Sequence, residues 1–170
     1  MPYRVCFVCS GNICRSPTAE AVLRRRIADA GLAGQVEVDS AGLGDWHVGE
    51  EVDARSAAAL RARGYPAWVH EAKQFRPADF AERDLVVALD AGHERALRGL
   101  ARTAADRAKI RMLRSYDPAA AADPAGLDVP DPYYGGEGGF EQVLDLVEAA
   151  CAGLLNEIKA DLAADERHQS

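Results

Sequence analysis

Apolar positions along this chain follow two rhythms. Residues 3–8 (YRVCFV), 84–89 (DLVVAL) and 110–113 (IRML) are short runs, and 35–41 (QVEVDSA) alternates Val36 and Val38 with polar residues. Segments of that length predict strands, and the continuous one at 84–89 suits a sheet covered on both faces. Helical spacing marks 16–30, 53–63, 91–102 and 140–160. Ser16 reads as an N-cap with Pro17 in the first turn, and Gly31 and Gly64 read as terminators. In the last helix Val143, Leu144, Val147, Leu154, Leu155 and Ile158 make the apolar stripe. The order of elements predicts an α/β fold, a four-stranded parallel sheet flanked by helices on both faces. Residues 1–160 are expected to form a single domain and 161–170 a flexible tail. Two connections stand out: the loop 42–51 and the Pro-, Gly- and Asp-rich loop 116–139, whose length marks it as functional.

Composition narrows the classes. The 170 residues are 48% hydrophobic and 28% charged, ordinary for a globular chain able to bury a core. No apolar run reaches a membrane span, and the apolar stretch at the N-terminus is too short for a signal peptide. A formal net charge of −7 argues against a general nucleic-acid binder but leaves room for a local anion pocket. The four cysteines are Cys6, Cys9, Cys14 and Cys151. That is no disulfide framework, and Cys6-x2-Cys9-x4-Cys14 lacks the second half of a zinc site. The pattern suits a cytoplasmic protein with one or two reactive thiols and disfavours a zinc site, with Cys6 and Cys151 in the core.

The stretch CSGNICRSPTAE, Cys9 to Glu20, sits between the first strand and the first helix. Strands of such sheets carry ligands at their carboxyl edge. Gly11 permits close backbone approach and Asn12 tolerates the left-handed region. A loop closing into a helix start aims backbone N–H groups into its concavity, and Arg15 adds a planar fork of donors. Residues Ser10 to Ser16, including Ile13 and Cys14, thus form an anion cradle with Cys9 at its start. The same donors favour a Cys9 thiolate, which in such places has a pKa of roughly 3.5–7.5. A thiolate facing a tetrahedral anion attacks it, and the Ser16 hydroxyl eases its later departure. A buried structural cysteine beside a surface arginine is the plainer reading of either residue alone. The C-x5-R-S spacing between strand and helix favours chemistry.

Attack on an oxyester needs a proton donor for the leaving group. Asp117, Asp123 and Asp131 each precede a proline in the long loop, so spacing does not choose among them. The neighbourhood favours Asp131, in VPDPYYGG, because Tyr133 and Tyr134 can flank an aromatic substrate.

CSGNICRSPTAE and DPYYG together, in this order and separation, strongly resemble the low-molecular-weight protein tyrosine phosphatases, to about residue 158. The resemblance implies a phosphate-binding loop after the first strand. It also implies metal-free hydrolysis of aryl phosphate monoesters through a phosphocysteine intermediate. Cys9 would be the nucleophile, Arg15 the phosphate clamp, and Asp131 the general acid and then base. Asn12, Ser16 and Ser40, extended to His70, resemble the network that shapes the loop. Ile13, Trp46, Tyr133 and Tyr134 resemble the crevice walls. Cys14 resembles a second loop cysteine able to pair with Cys9 under oxidation. Substrates would be phosphotyrosine proteins, with a bacterial tyrosine kinase as one candidate, and the product inorganic phosphate. The chain departs from the family in AAAADPAGLDV, before Asp131, which is longer and richer in alanine. Phosphoarginine phosphatases carry threonine where Ile13 stands, and thiol-dependent arsenate reductases need cysteines after the third strand, where 80–100 has none. A phosphotyrosine-binding module without turnover would not need both Cys9 and Asp131.

Overall fold

The computed structural model describes residues 2–123, 126–133 and 138–169, with side chains as far as Arg167. Four parallel strands make one sheet: β1 (Tyr3–Cys9), β2 (Val36–Gly42), β3 (Leu85–Ala88) and β4 (Ile110–Met112), in the order β2-β1-β3-β4. Val5 pairs with Val38 on one side and Leu85 on the other. The chain leaves β1 toward β2 and then returns to its opposite side for β3. That reversal opens a crevice beyond the carboxyl end of β1.

Alternation along β1 divides the core. Val5, Phe7 and Cys9 face a cluster with Leu23, Leu144, Val147 and Leu154, while Cys6 and Val8 face Phe75, Phe80 and Leu97. The helices α1 (Arg15–Asp29), α2 (Ala54–Ala62), α3 (Ala91–Leu100), α4 (Ala104–Arg107) and α5 (Gly138–Gln169) cover the sheet. Gly31 and Gly64 follow α1 and α2 at φ 74° and 84°, where a side chain would be strained. Every residue of the expected α5 stripe is buried, and Cys6 and Cys151 are buried free thiols. No helix of the described residues is long and apolar enough to cross a membrane.

Three local expectations change. The N-cap of α1 is Cys14, and Ser16 is buried within the first turn. The Ser16 hydroxyl meets the Cys9 thiol and the Asn12 amide instead of capping its own helix. The last helix runs past residue 160 to Gln169, because Tyr3 Oη donates to Asp161 Oδ2 at 2.7 Å and Leu162 packs on the core. The long loop is partly ordered by short 3-10 turns at Leu113–Tyr116 and Pro118–Ala122.

The first half of that loop wraps a buried cation. Arg114, 2% exposed, donates from Nη1 to Asp123 Oδ2 at 2.8 Å and to the carbonyls of Gly126 and Asp128, while Nη2 lies 3.8 Å from Asp117 Oδ2. Helix α5 closes over the neighbouring 3-10 turn so tightly that a Cβ on Gly153 would stand 2.2 Å from the Tyr116 carbonyl oxygen.

Gly153→Ala is therefore expected to destabilise by about 1–3 kcal/mol, the usual cost of overpacking. Gly99→Ala, on α3 with open space around its missing Cβ, is expected to stabilise by about 0.5–1 kcal/mol. Urea unfolding of the two variants distinguishes these signs. A stabilised Gly153→Ala would disprove the close approach of α5 to Tyr116.

Candidate active site

β1 ends at Cys9, and the next residues fold back over the sheet edge into α1. The turn depends on Asn12, which is fully buried and adopts φ 62°. A non-glycine residue in this region needs support from its surroundings. Lys73 N–H donates to Asn12 Oδ1 at 3.0 Å, which fixes the amide's orientation. Its Nδ2 then donates to Ser16 Oγ and Ser40 Oγ, both at 2.9 Å. Ser40 Oγ donates to Glu20 Oε1 at 2.6 Å, and Glu20 is held in turn by Arg24. His70 Nε2 donates to the Asn12 carbonyl at 2.8 Å, so that nitrogen carries the proton.

This chain of donors leaves one proton unassigned, that of Ser16. Ser16 Oγ lies 3.0 Å from Cys9 Sγ, and Asn12 N–H donates to the same sulfur at 3.3 Å. The Ser16 hydroxyl hydrogen has two acceptors in reach, the sulfur and the Ala41 carbonyl at 3.5 Å, and turns to the sulfur when Cys9 is a thiolate. Cys9 itself is 3% exposed. At the neighbouring Cys14, burial first, and the Asp53 carboxylate second, push the thiol up to about 12.

Arg15 is buried at the other end of the loop. Its Nη1 donates to Asp90 Oδ2 at 2.8 Å and to the Val129 carbonyl at 3.0 Å. Its Nη2 lies 3.3 Å from His93 Nε2 and 3.6 Å from Asp131 Oδ2. Burial acts to raise the Asp90 carboxyl, but the His93 N–H and the charges around it hold it below the usual carboxylate range. Burial, then the Arg15 guanidinium, push His93 down to about 4.

Cys9, Ser10, Gly11, Ile13, Cys14, Arg15, Trp46, His47, Asp131 and Tyr133 line one cleft of about 520 Å³. Trp46 stands at its rim, 70% exposed. His47 pairs with Glu50 and lies over Gly11, where a Cβ would come within 2.7 Å of its ring. Gly11 is therefore glycine for the sake of His47, whereas the left-handed angle falls on Asn12. Tyr133 stacks near His47 and under the Arg55 guanidinium. Asp131 Oδ1 accepts the Tyr133 N–H at 3.0 Å, which leaves Oδ2 facing Arg15. A larger cleft of about 680 Å³ lies beside β2, but its arginines pair with its own and neighbouring carboxylates.

The structure thus brings together Cys9, Arg15, Asp131, Ile13, Trp46 and Tyr133 in the cleft. Asn12, Ser16, Ser40 and His70 form the support behind it. Tyr134 lies outside the described residues. Of the three Asp-Pro aspartates, Asp117 and Asp123 face Arg114, and Asp131 faces the cleft. Asp90, His93 and Glu20 were not anticipated. Asp90 had a readable signal: a carboxylate directly after a continuous apolar strand, at the sheet's ligand edge, capping α3.

Residues 4–164 match the family model described as low molecular weight phosphotyrosine protein phosphatase. A low molecular weight protein-tyrosine-phosphatase of Streptomyces coelicolor is 61% identical over 159 residues, covering 94% of this chain and 95% of that protein. The crystal structure of a protein tyrosine phosphatase from Entamoeba histolytica superposes with a TM-score of 0.86 at 33% identity, covering 94% of this chain and 98% of that one. A Drosophila arginine phosphatase is also similar, with a TM-score of 0.81 at 33% identity over 91% of this chain and 97% of that one. A cysteine and an arginine closing a loop over β1, matched along nearly the whole chain, make this protein a member of the low molecular weight phosphotyrosine protein phosphatase family.

Proposed function

We propose that this chain hydrolyses phosphotyrosine in proteins without a metal, through a phosphocysteine intermediate. The observation that carries the reading is the placing of Cys9 Sγ within hydrogen-bond reach of Asn12 N–H and the Ser16 hydroxyl, opposite a buried Arg15. In the first step the Cys9 thiolate attacks phosphorus. The S–P bond forms as the P–O bond to the aryl group breaks, and Asp131 gives its proton to the departing phenolate oxygen. Arg15 and the loop N–H groups stabilise the charge on the three spectator oxygens. In the second step Asp131 takes a proton from water, which attacks phosphorus. Phosphate leaves, and the Cys9 thiolate is released into its hydrogen bond with Ser16.

Ile13, His47 and Tyr133 give the cleft walls an apolar and aromatic character suited to a phenyl ring. Because an arginine phosphatase shares the fold, the choice of phosphotyrosine rests on these walls, and on Ile13 above all. The enzyme is read as cytoplasmic and bacterial, with a tyrosine kinase among its substrates. Cys14 is read as a redox guard. Peroxide converts Cys9 to a sulfenic acid, which condenses with the Cys14 thiol to a disulfide and water.

Cys9→Ser is expected to abolish turnover of p-nitrophenyl phosphate while the folded protein still binds phosphate; measurable turnover would remove Cys9 from the nucleophile's role. Asp131→Ala is expected to slow phenyl phosphate by about 10²–10⁴-fold and dinitrophenyl phosphate far less. An equal loss for both leaving groups would end the general-acid assignment. Loss of activity in peroxide should be reversed by thiols, and prevented by phosphate. In Cys14→Ser the loss should become irreversible; full recovery of that variant would count against the guard.

A further inference from the structure

His93 has no place in the chemistry above, yet it is 3% exposed and touches both ends of the cradle. Its Nε2 lies 2.9 Å from Ser10 Oγ and 3.3 Å from Arg15 Nη2. A guanidinium can only donate, so His93 Nε2 must present its lone pair to Arg15, and the ring proton belongs on Nδ1. The Ser10 hydroxyl then shares that one lone pair, so the ring nitrogen is the acceptor of a three-centre bond. Nδ1 faces Asp90 Oδ1 at 3.3 Å, outside hydrogen-bond geometry, and that carboxylate oxygen also accepts the His93 backbone N–H at 2.8 Å. The pK of about 4 agrees with a neutral ring.

We propose that His93 is a positioning residue for the phosphatase reaction, accepting from Arg15 and Ser10 at once so that the guanidinium presents its Nε–Nη2 edge to the phosphoryl group. The proposal rests on the reading of Arg15 as the phosphate clamp. An arginine has five N–H donors in a rigid fork. Asp90 and the Val129 carbonyl take both from Nη1, and His93 takes one from Nη2. The two that remain lie side by side on one edge, the geometry that grips two oxygens of an oxyanion. A neutral acceptor suits this place better than a carboxylate. Asp90 and Asp131 already stand beside Arg15, and a third negative charge would further weaken its pull on the phosphate. Imidazole removes an N–H from competition without removing charge. Through Ser10 it also fixes the residue next to the nucleophile, so one ring nitrogen ties the start of the loop to its end.

The test is a cycle of His93→Leu, His93→Gln and Ser10→Ala, read by steady-state kinetics and by inhibition with vanadate and with inorganic phosphate. His93→Leu is expected to lower kcat/KM for p-nitrophenyl phosphate by about 10- to 100-fold, the scale of a misplaced catalytic group. Vanadate, which adopts the geometry of the transition state, should lose affinity by a similar factor, and phosphate by much less. His93→Gln, which restores an acceptor, should return to within about threefold of wild type. Ser10→Ala should cost a few-fold in wild type and nothing further in His93→Leu. A folded His93→Leu with wild-type kcat/KM and vanadate affinity overturns the proposal, as do losses in the two single variants that multiply in the double. If His93→Leu does not fold, the cycle is run with His93→Gln and Ser10→Ala, and independent effects there overturn it equally. Cys9→Ser, assayed alongside, separates the two levels. Turnover in that variant refutes the phosphatase reading, whereas an inactive Cys9→Ser beside a fully active His93→Leu refutes the role of His93 alone.

Discussion

The left-handed backbone of Asn12 is the constraint on which the site depends. A side chain at φ 62° costs roughly 1–2 kcal/mol against the ordinary helical region. The cost is met because every polar atom of the residue is engaged. Its N–H reaches the Cys9 sulfur and its carbonyl receives His70. Its amide oxygen receives Lys73 N–H, and its amide nitrogen serves Ser16 and Ser40. One buried side chain thereby ties the loop to α1, to β2 and to the segment 70–73. The curl of the loop, and with it the direction of its N–H groups, is a property of that knot.

Charge around the knot is arranged in layers. Innermost is a sulfur that accepts the Asn12 N–H and touches the Ser16 hydroxyl; beside it a buried guanidinium is held by Asp90 and faced by Asp131. Farther out, Asp39 binds Lys73 and Arg83, which anchors the segment carrying Lys73 N–H. A chain with a formal charge of −7 can hold an anion because the attraction is local and partly desolvated, where overall charge counts for little.

Much of this was legible in the sequence, for identifiable reasons. β1 and β3 announce themselves as short apolar runs, and the glycines after α1 and α2 mark their ends by a backbone angle that few other residues adopt. Cys9, Arg15 and Ser16 are local, within a few positions of one another, so their spacing carries their geometry. His93 was not legible, because its meaning lies in a contact with residues 78 and 83 positions away along the chain. Arg114 was missed likewise: a buried arginine looks like a surface one until its carboxylates are known. Ser16 misled in the opposite way. Its type and place suit a cap, but a sulfur and an amide outcompeted the helix for its hydroxyl.

Val129 gives the molecule a particular kind of anchor. Its carbonyl accepts from the buried Arg15, and its N–H donates to the Leu89 carbonyl, just beyond β3, at 2.8 Å. Neither bond involves the Val129 side chain. The peptide group two residues before Asp131 is therefore held from two sides, by the sheet and by the arginine. Asp131 is thereby indexed to Arg15 through the backbone of its own loop as well as through the contact of their side chains.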